Sequence, residues 1–380
     1  MHVCVVCHEA SLTGAPRIGF DIAASLSERH QTTLLVKMRG PLIDLPRYAP
    51  LRDSYRCLDT SHQICELTYR ERVDGAMSML EALGPDVLYV NSVASGEWCE
   101  AGGRAGIPVA LHTHETRDSL PGLLSTVCTP RILRWTDLLV GASRHAMEDI
   151  EELTGTSVRN RLDFGIFIDA ETVLGQSNLE VPPPRNALGA ALGEEGDGSR
   201  PVAAMCGLAQ FRKGADIFFD AARRLPTCDF LWIGPWAPPE THDNGETLQR
   251  FKTLRLPNFY VTGLVDNPYA YMREMDAFVL TSREDPNPLV VAEALLLGKK
   301  VMAFADTGAS AEILARFGYA FTGPPNAERI AGVLPGVFSD ESGWRSGVAE
   351  RVRREVDGSA RLLQLETALE QLVGAAAGSA

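Results

Sequence analysis

Short runs of apolar residues recur along the chain, each followed by a stretch whose apolar positions fall three to four apart. In the first half the runs lie at residues 3–7, 33–36, 86–90, 109–112 and 138–141, with amphipathic stretches such as 18–26 and 73–83 between them. Nearly continuous apolar strands alternating with helices predict a parallel sheet covered on both faces. The alternation breaks at 176–201, where Pro182-Pro183-Pro184 and a Gly/Ala/Glu-rich stretch read as an exposed linker. It restarts with runs at 202–206, 230–233, 259–261, 277–280 and 301–305. A last helical pattern at 360–372 precedes a frayed tail of small residues.

This is an α/β pattern written twice. It predicts an N-terminal Rossmann-like domain at 1–165, a crossover at 166–200, a second Rossmann-like domain at 201–355, and a C-terminal helix and tail at 356–380. A chain of 380 residues is long enough for two such cores.

Composition narrows the function. A formal net charge of −13 argues against a general nucleic-acid binder, which needs a basic face to displace counterions. It also limits contact with anionic membranes to a peripheral, local patch. The longest apolar runs fall short of a bilayer span, and the start shows no signal-peptide pattern, so the expected location is cytoplasmic. Eight scattered cysteines fit reduced thiols there. Cys4-Val5-Val6-Cys7-His8 matches the haem-attachment spacing, but it lies inside the first apolar run and reads as a buried strand. Metal ligation by His112 and His114 lacks a convincing third partner, and no metal site is expected. The acidic run at 148–152 reads as a solvated helix face.

Ligands of open parallel sheets bind beyond the carboxyl ends of the strands, so the chemistry is sought in the loops there. Neither a G-x-G-x-x-G fingerprint nor a phosphate loop of the G-x-x-x-x-G-K-[ST] type is present, which weakens dehydrogenase and ATPase readings. The first loop carries Gly14-Ala15-Pro16-Arg17, where Gly14 lets backbone approach a ligand and Pro16 suits a helix start. The fourth run ends in Leu111-His112-Thr113-His114-Glu115. After the run at 202–206 comes Gly207-Leu208-Ala209-Gln210-Phe211-Arg212-Lys213-Gly214, a cationic pair beside glycine that suits phosphate. Lys213 is one of only five lysines, against 31 arginines.

The most specific stretch is Thr281-Ser282-Arg283-Glu284-Asp285-Pro286-Asn287-Pro288-Leu289-Val290, continuing to Glu293. With a helix starting near Pro288, Asp285 sits in the preceding loop and Glu293 about one turn inside. Free backbone N–H groups at such a start attract anions, and Asn287, Leu289 and Val290 are the candidate donors. Pro288 has none to give.

These residues together resemble the retaining glycosyltransferases of the GT-B fold, particularly glycosyltransferase family 4. The resemblance rests on Ser282–Leu295, on Gly207–Gly214 and on the Gly14 loop, and loosely on Gly165–Asp169. It implies two facing Rossmann-like domains. It also implies that Arg212 and Lys213 hold the donor diphosphate, that Glu293 bonds the ribose, and that Asp285 contacts the donor sugar. By the same resemblance His112, or His114 if the register slips, lies beside the transferring sugar. Gly14 then approaches the phosphate or acceptor, and Thr262-Gly263 lie near the base. The sequence departs from the family at Leu208, where an arginine is usual, and at Asp285, where a glutamate is. The implied activity is transfer from a nucleoside-diphosphate sugar, a substrate rather than a cofactor, to a glycan, lipid-linked or small-molecule hydroxyl. No metal is required, because fixed cations neutralise the leaving group. Acceptor contacts are expected in the loops at 39–56 and 116–134; the latter includes Arg131 and Arg134 and is followed by Trp135, a stretch that reads as a surface helix, with contact to a lipid head group as the alternative. Alternatives on the same fold are a sugar-nucleotide epimerase, a phosphorylase, or a non-catalytic nucleotide-sugar binder.

Overall fold

The computed structural model describes residues 1–59, 66–115, 117–193, 200–239, 244–285, 288–304, 314, 316–341, 347–356 and 358–378. The chain forms two compact units, Met1–Phe167 with Gly358–Ala380, and Ile168–Asp357.

In the first unit the strands are β1 (His2–Cys7), β2 (Gln31–Val36), β3 (Tyr55–Cys57), β4 (Val87–Asn91), β5 (Val109–Thr113), β6 (Leu138–Gly141) and β7 (Asn160–Asp163). They pair in parallel in the order β3-β2-β1-β4-β5-β6-β7. Every residue of β4, β5 and β6 is buried, as strands covered on both faces must be. The β3 and β7 strands fall outside the apolar runs because they are edges: Tyr-Arg-Cys and Asn-Arg-Leu-Asp face solvent along much of their length. Cys4 and Cys7 are fully buried in β1, three residues apart and therefore on opposite faces.

The second unit holds β8 (Arg185–Asn186), β9 (Val202–Cys206), β10 (Asp229–Ile233), β11 (Phe259–Val261), β12 (Ala277–Val279), β13 (Lys300–Phe304) and β14 (Tyr319–Phe321). Their order is β14-β13-β12-β9-β10-β11-β8, all parallel except β8 against β11. Part of the stretch expected to be an exposed linker is thus an edge strand. Its Asn186 is buried, donates to the Pro257 carbonyl at 2.7 Å and accepts from the Leu188 and Ala190 amides.

The acidic run also departs from expectation. It lies in the helix Arg144–Thr154, but Asp149 is buried and accepts from the Arg117 amide at 3.0 Å, while Glu151 accepts from the Val158 amide at 3.0 Å. Two of these acids therefore fasten neighbouring loops. Arg131, Arg134 and Trp135 lie on or beside a single 3-10 turn, Ile132–Trp135, whose Ile132 and Leu133 are buried. The C-terminal helix Gly358–Ala377 belongs to the first unit, where its Glu366 accepts from Arg29 Nε at 2.8 Å and meets His30 Nε2 at 2.8 Å. Among the described residues no helix is long and apolar enough to cross a membrane.

In each sheet the parallel strands start in the middle and build outward. The chain reverses direction across the sheet between β1 and β4 in the first unit, and between β9 and β12 in the second. At such a switch point the loops leave in opposite directions and open a crevice at the carboxyl ends.

Candidate functional site

The second switch point is lined by the loops after β9 and β12, and they are laced together. Gly214 ends the first loop with a φ of 68°, a left-handed conformation, and a Cβ there would come 2.0 Å from the Thr281 carbonyl oxygen. Only glycine fits. Thr281 Oγ1 donates to the Lys213 carbonyl at 2.9 Å, and the Arg283 amide donates to the Arg212 carbonyl at 2.8 Å. Arg283 further stacks on Phe211 at 3.7 Å and holds Asp216 through two bonds of 2.8 and 2.7 Å.

This lacing brings Lys213 and Asp285 into an ion pair, with both side chains largely buried. Ser282 Oγ donates to the same carboxylate oxygen at 3.0 Å. Arg212 donates from Nη1 to the Glu284 carbonyl at 2.9 Å, so its guanidinium lies along the second loop. Leu208, where the family arginine is expected, is 39% exposed. Arg283, to which sequence reasoning gave no role, is the clamp of both loops. Its signal was the run of charge at 283–285.

The helix after this loop is Leu289–Leu296, with Pro288 as N-cap and no side-chain cap on its first amides. Leu289 and Val290 are its first two residues; Asn287 lies outside the described residues. Glu293 sits at its fifth position, as the helix start near Pro288 requires, but it is buried and accepts from Tyr269 Oη at 2.9 Å. Tyr269 belongs to the helix Pro268–Arg273 that follows β11. Thr262, at the end of β11, accepts from the Gly234 amide at 3.0 Å and donates to the Gly263 carbonyl at 2.8 Å. Gly234 leaves β10 so close to Gly207 that a Cβ would lie 2.2 Å from the Gly207 oxygen. The loops after β9, β10 and β11 thus form one connected rim, and Lys213, Asp285, Thr262 and Gly263 all stand on the same sheet edge.

The remaining candidates belong to the first unit. Gly14 opens the helix Gly14–Ser27, whose N-cap Thr13 makes no side-chain cap. Asn91, at the end of β4, donates to the Ala15 carbonyl at 2.8 Å and accepts from His114 Nε2 at 2.9 Å. The Gly14 loop and His114 are therefore joined through one amide at the first switch point. His112 is fully buried, bonds Tyr89 Oη through Nδ1 at 2.6 Å, and stacks on His114 at 4.0 Å. Its Nε2 has no hydrogen-bond partner among the described residues. Burial pushes the His112 ring well below the usual histidine range and holds His114 at about 4, so both are neutral near pH 7.

Three further residues complete this edge. Glu115 accepts from the His114 amide at 2.9 Å, from the Val93 amide at 3.3 Å and from Ser92 Oγ. Ser92 holds a φ of 94°, outside the ordinary range for a side-chain-bearing residue. The only hint of Ser92 and Asn91 in the sequence is their place directly after an apolar run. Lys37, at the end of β2, donates from Nζ to Glu97 Oε1 at 2.5 Å and to the Ala94 carbonyl at 2.9 Å, a buried ion pair.

Residues 200–334 match the family described as glycosyl transferases group 1. No curated protein sequence matches the chain. Among solved structures, it is similar to HepE of Anabaena in complex with UDP-glucose, with 17% identity over 98% of this chain and 100% of that one, at a TM-score of 0.74. Sucrose-phosphate synthase from Thermosynechococcus elongatus matches with 16% identity over 98% and 99%, at 0.71. The lipopolysaccharide outer core galactosyltransferase WaaB in its apo form matches with 15% identity over 98% and 99%, at 0.70. Residues 200–334 thus carry a group 1 glycosyltransferase domain, and the whole chain has the GT-B fold.

Proposed function

We propose that the protein is a retaining glycosyltransferase of family 4 type, moving a hexosyl group from a nucleoside-diphosphate sugar to an acceptor hydroxyl. The observation that carries this reading is the Lys213–Asp285 pair, held at the switch point of the second sheet beside a helix start with no side-chain cap. In the reaction the bond from anomeric carbon to diphosphate oxygen breaks and one to the acceptor oxygen forms. Negative charge collects on the departing diphosphate, whose oxygen takes the proton that the acceptor hydroxyl gives up. Lys213 and Arg212 are assigned to that charge with the Leu289 and Val290 amides, Asp285 to the sugar hydroxyls, and Glu293 to the ribose.

Fixed cations and amides at this edge supply the electrostatic stabilisation that a divalent ion would otherwise provide, so we assign no metal to the reaction. Charge-assisted bonds of about 1.5–3 kcal/mol each would give several kcal/mol of transition-state stabilisation. UDP is the first donor nucleotide to test, since HepE, of the same fold, is a complex with UDP-glucose. Acceptor recognition is assigned to the loops of the first unit, and the seven cysteines among the described residues, all free thiols, suit a cytoplasmic setting.

The test is thermal stabilisation by UDP-, GDP- and dTDP-sugars, followed by NMR of the product's anomeric configuration with any donor that stabilises. Binding and transfer with retained configuration are expected. An inverted product would end the retaining assignment, a changed sugar nucleotide without acceptor would make the protein an epimerase, and no binding of any donor would end the transferase reading.

A further inference from the structure

The first unit gathers metal-ligating side chains at the amino end of β2, the opposite edge of its sheet from the loops described above. The helix Gly14–Ser27 runs out at Glu28-Arg29-His30, directly before Gln31 begins the strand. The His30 amide donates to the Leu26 carbonyl at 2.8 Å, which fixes the backbone at this turn. The C-terminal helix Gly358–Ala377 passes the turn with Glu366 and Glu370. Four residues apart, these two acids stand on one helix face, a turn from each other.

Three donor atoms converge there. His30 Nε2 lies 2.8 Å from Glu366 Oε1 and 3.9 Å from Glu370 Oε1, and all three atoms fall within 4.8 Å of one another. The His30 and Glu366 side chains are 10% and 7% exposed, whereas Glu370 is 56% exposed and leaves one side open to water. Zinc bonds of about 2.1 Å in a tetrahedral array put neighbouring ligand atoms about 3.4 Å apart. The two distances from His30 straddle that value, so an ion fits between the three atoms with shifts of about 0.5 Å.

The charges call for a cation that the side chains supply only in part. Like charges four apart on a helix oppose each other. Arg29 donates from Nε to Glu366 Oε1 at 2.8 Å and from Nη2 to Oε2, but Glu370 has no hydrogen bond among the described residues. The charged groups acting on Arg29 are Glu366, Glu28 and Glu370, three acids on one guanidinium. An imidazole beside carboxylates is a donor set for first-row divalent ions, and zinc takes both ligand types at similar bond lengths. We propose that His30, Glu366 and Glu370 form a structural zinc site, with water as fourth ligand, that fastens the C-terminal helix to the turn before β2. His30 ligates as the neutral ring through Nε2, with its hydrogen on Nδ1. Arg29 holds the Glu366 carboxylate in place, as hydrogen bonds commonly do for ligating carboxylates. This inference is independent of the sugar-transfer reading, because the site stands at the other edge of the sheet.

The test titrates ZnCl2 into the full-length protein, stripped with EDTA and dialysed, by isothermal calorimetry. Saturable binding of one ion is expected, and it should slow amide exchange in residues 365–371 of the C-terminal helix. In His30→Gln and Glu370→Gln the dissociation constant should rise at least about tenfold. Glu370 is exposed, so its variant tests the site without disturbing the core. Glu81→Gln, at an exposed acid on the helix Tyr69–Leu83, should bind zinc as wild type does. No saturable binding, or equal affinity in wild type, His30→Gln and Glu370→Gln, would overturn the site, the latter by showing that zinc is held elsewhere.

Discussion

The Lys213 ammonium rests on the Asp285 carboxylate, bridging loops that are 72 residues apart in sequence but leave adjacent strands. Each group in the pair was assigned to a different part of the donor, the cation to the diphosphate and the acid to the sugar. Their contact neutralises the two charges across the loops, and in the proposed reading an arriving diphosphate shares Lys213 with Asp285. The pair is preorganised by Ser282, which donates to Asp285, and by Thr281, which holds the Lys213 backbone.

Lys213→Ala should therefore lower kcat/KM by about ten- to 150-fold, the value of one charge-assisted bond of about 1.5–3 kcal/mol. Asp285→Asn should lower it too, and the double variant should lose less than the sum of the two, since they share one interaction. Steady-state kinetics on the four proteins checks this; strict additivity would show that the pair does not act as a unit in the reaction.

In the proposed reading Tyr269 acts on the donor through Glu293, since its hydroxyl donates to that carboxylate at 2.9 Å from a separate helix. Removing the bond leaves Glu293 in place but freer to turn. Tyr269→Phe should weaken binding of the donor nucleotide about two- to tenfold, with kcat close to wild type. Isothermal titration with UDP beside steady-state kinetics separates the two effects. A large fall in kcat with unchanged affinity would remove Tyr269 from ribose positioning.

Stability should depend on acid through the histidine pair of the first unit. His114 ionises at about 4 when folded, against about 6.5 in an unfolded chain, because burial disfavours the charged ring; His112 is depressed further by the same cause. Between those values the unfolded chain binds more protons than the folded one, so the contribution is fully present above about pH 6.5 and is lost as pH falls towards 4. For His114 alone the loss reaches about 3 kcal/mol. Urea unfolding from pH 7 to 4 should show a falling midpoint, and His114→Gln should make the fall shallower. An unchanged slope would mean that the ring titrates normally in the folded protein.

Much of this was legible in the sequence, and the gaps have physical causes. Strands at the centre of each sheet announced themselves because both faces are covered, as in Leu88-Tyr89-Val90 and Leu231-Trp232-Ile233. The edge strands at Arg185 and Asn160 gave no apolar run, since half of their surface meets solvent. The loop residues after β9 and β12 could be singled out by type, because cations beside glycine are scarce in a chain with five lysines. Their partners could not. Nothing local marks Tyr269 as the neighbour of Glu293, or Asn91 as the link from Ala15 to His114, because those pairs are created by strand order. Asp149 misled for the opposite reason: an acid among acids reads as surface, and only the fold places Arg117 over it.

The closeness of the loops after β9 and β12 can be tested through glycine. Gly214 and Gly298 both adopt a left-handed backbone, with φ of 68° and 70°. They differ in surroundings: a Cβ at Gly298 meets nothing within 4 Å, whereas one at Gly214 would stand 2.0 Å from the Thr281 oxygen. Gly298→Ala should incur only the backbone strain, about 1–3 kcal/mol, with kinetics near wild type. Gly214→Ala incurs the same strain and in addition must push the Lys213 loop away from Thr281, and so away from Asp285. It should be less stable than Gly298→Ala and should lose at least tenfold in kcat/KM, the lower end of the value set for one charge-assisted bond. Chemical unfolding and kinetics on the pair decide the matter: if the two alanine variants match in both measurements, the loops are not held together as described, and the donor cradle does not depend on their contact.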